Sequence, residues 1–282
     1  MSIDPSALGF QSRRSSFAYD WKTVALYALG IGAEKSDLQY LYEGFGPKVY
    51  PTFAVVPVMA AVRECLEKTG GNPRMIVHGG QSVRVRKPIP PSGELFTRAA
   101  IKAIYDLKKL TEVVIETETV GAGEEKLFET RWSILFRDGG FDGPHPPKSS
   151  EPEIPKDRAP DFEVALATRP EQALLYRLSG DTNPLHADPD FARAAGFADG
   201  PILHGLCTYG FVARAVVAGA CEKDGSRLLR LDANFRKPVW PGDTIVTRGY
   251  ELDGGLVALS VGVSERPGAV LTGAWAEIGP PG

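Results

Sequence analysis

The sequence has few cysteines and no strong excess of either charge. Its three cysteines, Cys65, Cys207 and Cys221, show no CxxC spacing, so a disulfide framework and a zinc site are not expected and a reducing compartment is favoured. The net charge of -3 gives no basic surface for nucleic acid. The 32 Lys and Arg residues still allow a local patch that meets an anionic cofactor.

Long apolar runs are also missing. The longest, over residues 53–62, has about ten residues and is interrupted by Pro57, which is too short to span a bilayer. The N-terminus lacks the apolar core of a signal peptide. The C-terminal Gly-Pro-Pro-Gly differs from the Ser-Lys-Leu peroxisomal signal. We therefore expect a cytoplasmic protein that does not engage a membrane.

A segment rich in glycine, proline and serine divides the sequence into nearly equal halves. It runs over residues 137–161 and holds six prolines between Pro144 and Pro160. Proline blocks both helical and ladder hydrogen bonds, so the segment predicts a linker. We place an N-terminal unit at residues 1–143, the linker at 144–160 and a C-terminal unit at 161–282.

The two halves resemble each other at a constant spacing. Three pairs of segments match at offsets of 149 or 150 residues, a period typical of duplicated domains rather than of solenoid repeats. The pairs are Ala25–Gly30 with Leu174–Ser179, Tyr50–Phe53 with Gly200–Leu203, and Lys87–Ile89 with Lys237–Val239.

Both halves show the same order of elements. An apolar segment enters a loop, a longer apolar segment follows as a predicted helix, and three or four strand-like runs come last. This order predicts an α+β class, with one helix laid against an antiparallel sheet in each half. The predicted helices are 55–66 and 205–220, and the predicted strands are 82–85, 95–105, 111–119, 126–136, 228–235, 243–252, 256–265 and 270–278.

The most informative stretch is YRLSGDTNPLH, from Tyr176 to His186. Its glycine, asparagine and proline predict a turn, and a turn can bring Asp181 and His186 to a common point. A carboxylate and an imidazole that face one pocket can act as a base and an acid. The alternatives are an Asx turn at Asp181, and a surface or satisfied core position for His186.

The repeat favours the functional interpretation of this pair. The first half has Gly32 where the second half has Asp181, and it has no histidine before His78. A pair that served the fold alone should tend to appear in both copies. The sequence therefore predicts that the second half carries the chemistry.

Two histidine-glycine pairs complete the candidate residues. Gly205 begins the longest predicted helix, where first-turn N–H groups lack partners and glycine lets a ligand oxygen approach, as an oxyanion site needs. The alternative is a glycine that merely eases the bend. His204 is assigned no chemistry, since it could cap or pack. His78-Gly79-Gly80 is either an ordinary turn or a backbone that lines a groove between the halves.

At these residues the sequence resembles the MaoC-like hydratases, specifically 2-enoyl-CoA hydratase 2 and the hydratase unit of the type-two peroxisomal multifunctional enzymes. The likeness covers nearly the whole chain and is most specific at Tyr176–His186 and at PILHGLCTYGF, Pro201–Phe211. It extends over Ala25–Ala33, Tyr42–Phe53, Lys87–Leu95, Phe136–Gly143 and Asn234–Thr244.

The resemblance implies a double hot-dog fold, with a non-catalytic first unit and a catalytic second unit. It implies that Asp181 and His186 are the catalytic pair, that the Gly205 N–H polarises the thioester carbonyl, and that Asn183 holds the loop. It also implies substrate contacts from three further residues, His78, Gly79 and Phe235. The family places a lysine that contacts a phosphate after the aspartate of a strand-to-strand turn, whereas Leu107 follows Asp106 here. Lys108 and Lys109 come next and are expected to replace it.

The implied activity is reversible hydration of a trans-2-enoyl-CoA to the (3R)-3-hydroxyacyl-CoA in fatty acid or related acyl-CoA metabolism. CoA belongs to the substrate, and no metal or redox cofactor is expected. A homodimer is the habit of the family. Two alternatives are a hot-dog protein that binds acyl-CoA without catalysis, and an acyl-CoA thioesterase on the same fold.

Overall fold

The computed structural model describes residues 3–137, 139–148 and 151–280. Within these ranges the chain forms helices α1 (Trp21–Gly30), α2 (Met59–Lys68), α3 (Gln172–Tyr176), α4 (Pro189–Ala194) and α5 (Gly205–Ala220). The strands are β1 (Ser15–Tyr19), β2 (Ile76–Val85), β3 (Gly93–Asp106), β4 (Thr111–Val120), β5 (Lys126–Phe136), β6 (Phe162–Ala167), β7 (Leu228–Phe235), β8 (Thr244–Glu251), β9 (Leu256–Val263) and β10 (Arg266–Ile278).

These ten strands form one antiparallel sheet. Its order is β1-β3-β4-β5-β2-β7-β10-β9-β8-β6. The two halves have the same strand order when each is followed from its outer edge to the centre of the sheet. The first half has the order β1-β3-β4-β5-β2, and the second half has the corresponding order β6-β8-β9-β10-β7. The predicted duplication is therefore present in the topology, and the β2–β7 pair joins the two copies edge to edge.

The centre of this joint lies at Ser82 and Asp232. These residues are 150 positions apart and face each other in the β2–β7 register. The Ser82 hydroxyl donates to the Asp232 carboxylate at 3.0 Å, and Arg230 pairs with the same carboxylate at 2.6 Å. Because equivalent residues meet here, a pseudo-twofold axis relates the two halves.

Helix α5 is the central helix of the second half and has the predicted bounds. Most of its residues are buried against the sheet, including Tyr209 and Phe211. Burial on nearly every side matches its apolar sequence, because a helix that is apolar all round needs a core position. In the described part of the chain, no helix combines the length and the apolarity that crossing a bilayer requires.

The matching helix of the first half is shorter than predicted. The prediction began it at Val55, but a 3-10 turn occupies Pro51–Val55 and α2 begins only at Met59. Pro57 explains the difference, because proline lacks the N–H that a helix running through it would need. The 3-10 turn is fully buried and packs beneath α5 and β2.

Strand β2 is longer than predicted, because it begins at Ile76 rather than Ser82. Gly79 and Gly80 lie inside the strand at a register shift, a β-bulge, and so they do not form an ordinary turn. A Cβ at Gly79 would meet Leu135 at 2.7 Å, and one at Gly80 would meet Asn234 at 2.7 Å. The glycines are therefore needed for close packing between strands.

The edge strands β1 and β6 were not predicted from the sequence, because short, half-exposed strands carry weak apolar patterns.

The connection between β5 and β6 has no helix or strand in its described residues, 137, 139–148 and 151–161. It is nevertheless tied to both halves. The Asp106 N–H donates to the Pro144 carbonyl at 2.8 Å, and the Asn234 amide donates to Glu151 at 3.0 Å. The division at residues 144–160 stays a prediction, because one sheet runs through both units.

The first half has no room for a copy of the predicted catalytic pair. A Cβ at Gly32, the counterpart of Asp181, would meet the Phe211 ring at 2.4 Å. Asp37, which stands 149 residues before His186, pairs instead with Arg214 of α5 at 2.7 Å. The side chains of α5 therefore fill the position in the first half that corresponds to the pair.

Candidate active site

The loop after α3 positions Asp181 and Asn183. Gly180 adopts a φ of 119°, which glycine reaches without a Cβ penalty and which turns the chain out of the helix. The Asn183 N–H donates to Asp181 Oδ1 at 3.2 Å, and Asn183 Oδ1 accepts from the Leu185 N–H at 3.0 Å. Asp181 is therefore part of an Asx turn, and Asn183 links Asp181 to the 3-10 turn Pro184–His186.

Asp181 and His186 come together as predicted, and a third residue joins them. One side-chain nitrogen or oxygen from each of Asp181, His186 and His204 lies within 4.8 Å of the other two. Both histidines are buried, whereas Asp181 is half-buried. The two imidazole rings stack with centroids 3.7 Å apart. The Asx-turn alternative and the site interpretation are thus compatible, since Oδ1 forms the turn within the cluster.

Hydrogen-bond partners determine which ring nitrogens are protonated. His186 Nδ1 lies 2.8 Å from the Ile202 carbonyl, and His204 Nε2 lies 3.1 Å from the Asp181 carbonyl. Each of these nitrogens must carry the proton, because a carbonyl only accepts. In a neutral ring, His186 Nε2 then keeps a lone pair. His204 Nδ1 is buried without a partner in the described part of the chain.

Burial keeps both histidines neutral near pH 7. It lowers the pKa of His186, although the Ile202 carbonyl and the Asp181 charge act in the opposite direction. Burial, followed by the charge that His186 would carry, lowers the pKa of His204 to about 4. His186 Nε2 and the Asp181 carboxylate are therefore both acceptors. A water molecule, which has two O–H donors, is the simplest species that satisfies both.

The lowered pKa of His204 predicts a loss of stability in acid. Between about pH 6.5 and about pH 4 the unfolded chain binds a proton at this residue that the folded chain does not, so the free energy of unfolding falls as pH falls. Urea unfolding at about pH 7 and about pH 5 measures this change. His204→Gln removes the titrating group and should reduce the pH dependence. An unchanged dependence in that variant would contradict the prediction.

Gly205 lies beside this cluster at the first position of α5. Its N–H has no intrahelical partner and lies at the positive end of the helix dipole. A Cβ on Gly205 would lie 3.1 Å from the ring of Phe235 in β7. The glycine therefore allows the aromatic ring to pack directly against the start of the helix.

The aromatic contact continues into the first half through His78. The His78 ring stands edge-on to Phe235 with centroids 4.9 Å apart, and it stacks on Trp132 at 4.9 Å. Its Nε2–H donates to the Gly80 carbonyl at 3.0 Å, and burial lowers the pKa of His78 to about 4. His78 and Phe235 therefore bridge the joint between the halves next to Gly205, where the family resemblance implied substrate contacts.

Two further residues with predicted substrate contacts, Gly79 and Lys108, lie outside this aromatic contact. Gly79 belongs to the same bulge as His78, and the side of Gly79 that lacks a Cβ faces Leu135 of β5. Lys108 lies in the β3–β4 turn, where its N–H donates to Asp106 at 2.8 Å. The contact of Lys108 with a phosphate stays a prediction.

The geometry suits a hydrogen-bonded water better than a metal ion. The planes of the His186 and His204 rings are inclined by only 27° at a separation of 3.7 Å. The lone pair of an imidazole nitrogen lies in its ring plane, and a metal would have to lie about 2.0–2.1 Å from each ligand nitrogen. Nearly parallel, stacked rings cannot direct two lone pairs at one such point.

An open cleft of about 490 Å³ adjoins the cluster at His186, whereas Asp181, His204 and Gly205 do not line it. His186 lines it, and most of the surrounding side chains are apolar, including Leu174, Pro201 and Trp240. Arg266 and Asp199 add charge at its wall. The cleft therefore offers a ligand with apolar parts a place next to His186.

His204 is the site residue that the sequence analysis left unassigned. Its sequence signal was its position immediately before Gly205. Contact with the Asp181 carbonyl depends on the fold of a loop 23 residues earlier, so no local pattern reports it.

Comparison with known proteins gives the family. Residues 17–138 match the MFE-2 hydratase 2 N-terminal domain, and residues 152–262 match the MaoC like domain. The chain is 37% identical over 240 residues to a probable enoyl-CoA hydratase 2 of Dictyostelium discoideum. The aligned region covers 82% of this chain and 81% of that protein.

Solved structures agree in fold. A MaoC-like dehydratase from Phytophthora capsici superposes with a TM-score of 0.84 at 31% identity and covers 96% of both chains. A Mycobacterium tuberculosis protein, Rv0216, described as a double hotdog fold, superposes with a TM-score of 0.59 at 14% identity over 95% of this chain and 94% of that one. The predicted double hot-dog fold is confirmed. The chain therefore belongs to the MaoC-like hydratases and carries the N-terminal domain of hydratase 2.

Proposed function

We propose that this protein is an (R)-specific enoyl-CoA hydratase, which adds water reversibly to a trans-2-enoyl-CoA to give the (3R)-3-hydroxyacyl-CoA. The observation that carries the proposal is the acceptor pair of Asp181 and His186 close to the start of α5, where the N–H of Gly205 belongs to the first helical turn and needs no intrahelical partner. The identity to a protein named as a hydratase of this class supports it.

The geometry supports the following course of the reaction. The Gly205 N–H donates to the thioester carbonyl oxygen and makes C3 of the enoyl group electrophilic. Asp181 and His186 each accept a hydrogen bond from one water molecule. As the water oxygen bonds to C3, one of the two residues takes a proton, and the double-bond electrons move onto the thioester oxygen. This enolate is the state that the Gly205 N–H binds best.

A proton delivered to C2 completes the addition. It comes from the residue that took the water's proton, so the elements of water are added and the enzyme returns to its starting state. Every step reverses, so dehydration runs through the same groups. The reaction needs no redox change, and we propose that it uses no cofactor beyond the CoA of the substrate. Cytoplasmic location and homodimer formation remain predictions from the sequence.

Purified protein tests the proposal directly. Crotonyl-CoA and decenoyl-CoA should lose their conjugated enoyl absorbance on addition of the protein, and the product should be the (3R) isomer by chiral analysis. Release of free thiol without hydration would instead indicate a thioesterase. Ligand-dependent melting without turnover would indicate an acyl-CoA-binding protein, and either result would contradict the proposal.

A further inference from the structure

His204 does not cap α5 with its side chain, although it occupies the N-cap position. Its main-chain carbonyl accepts from the N–H groups of Cys207 and Thr208 at 3.1 Å each, which begins the helix. Its side chain forms no capping hydrogen bond. Serine, threonine, aspartate and asparagine are the usual residues here because they cap. An imidazole at this position has therefore given up a local stabilising contact.

The His204 ring contacts both members of the catalytic pair instead. Its Nε2–H donates to the main-chain carbonyl of Asp181 at 3.1 Å. Its face stacks on the His186 ring, with centroids 3.7 Å apart. The Tyr176 ring packs against it at 5.0 Å. With an exposure of only 1%, the His204 side chain has little freedom to leave this arrangement.

His204 thus connects the three parts of the site. It is covalently joined to Gly205, hydrogen-bonded to Asp181 and stacked on His186. We propose that His204 is a positioning residue, which sets the distance between the water held by Asp181 and His186 and the carbonyl held by Gly205. This inference rests on the proposed hydratase function. Misplacement by about 1 Å of groups that hold a reactant can cost about 10²-fold in rate.

Three variants separate its contacts. His204→Gln keeps an amide donor near the position of Nε2 but loses the ring. His204→Phe keeps the ring but loses the donor. His204→Ser loses both, while its hydroxyl can supply the missing N-cap and recover part of the lost stability. Cys207→Ala is the control, because Cys207 is fully buried in the same helical turn and its thiol bonds the Gly30 carbonyl rather than the site.

The measurement is kcat and KM on crotonyl-CoA, together with the melting temperature of each variant. We expect His204→Ser to lower kcat roughly 10- to 100-fold, with KM within about threefold of wild type because uniform binding is unaffected. His204→Gln and His204→Phe should fall between serine and wild type. Cys207→Ala should melt at a lower temperature and keep its kcat.

Two results would overturn the inference. One is a kcat of His204→Ser within about twofold of wild type in the folded protein. The other is a loss of kcat that follows the melting temperatures of the glutamine, phenylalanine and serine variants rather than the contacts that each one lacks, as a packing role predicts. Inactive wild-type protein would instead refute the hydratase function itself, so the two failures are distinguishable.

Discussion

Asp181→Asn and His186→Asn should each lower kcat on crotonyl-CoA by roughly 10²- to 10⁴-fold, the range of general acid–base catalysis. Both changes are chosen to preserve the local fold. An asparagine at 181 can still accept the Asn183 N–H that forms the Asx turn. An asparagine at 186 has an amide donor close to the position of Nδ1, which bonds the Ile202 carbonyl. Each variant thus removes an acceptor for the water and little else.

The double variant gives a sharper result than the single ones. Because both residues hold one water, removing either should abolish the function of the pair, and the double variant should be about as slow as the slower single variant. His145→Ala is a suitable control, since this histidine is exposed in the connection between β5 and β6. Circular dichroism confirms folding. Single variants that keep kcat within about threefold of wild type would refute the assignment.

Gly205→Pro should lower kcat roughly 10²- to 10³-fold relative to Gly205→Ala, the usual loss for one oxyanion donor. Proline removes the backbone N–H and is accepted at the first position of a helix. The preceding residue, His204, has φ of -59° and ψ of 138°, a conformation that a following proline favours. The helix can therefore begin as before without the donor.

Alanine at the same position controls for crowding. Its Cβ, like that of proline, meets the Phe235 ring at 3.1 Å, but it keeps the N–H. The ratio of kcat between the two variants therefore measures the hydrogen bond to the carbonyl, separately from the steric change. Equal rates in two folded variants would show that the Gly205 N–H does not bind the reacting oxygen.

Much of the fold was predictable because its signals are local. Glycine, asparagine and proline between Tyr176 and His186 specify a turn by their own backbone preferences, and the turn is present. Helix α5 has its predicted bounds because a long apolar run bounded by Gly205 permits few alternatives. The offset of 149 or 150 residues was sufficient to predict two copies of one topology.

The errors arose where a distant contact overrode a local signal. Gly79 and Gly80 have the composition of a turn, yet pairing with β5 and β7 keeps them in a bulged strand. The edge strands β1 and β6 depend on partners far along the sequence. Such pairings carry little information in the strand itself.

The sequence by itself determined the duplication, the α+β class, and the turn that carries Asp181 and His186, because apolar periodicity and backbone preferences act over a few residues. The tertiary structure alone decided that His204 joins them and that Phe211 and Arg214 fill the matching position in the first half. These contacts join residues 23 to 183 positions apart. Only the packing of α5 against the loop that carries Asp181 and against the first half brings such residues together.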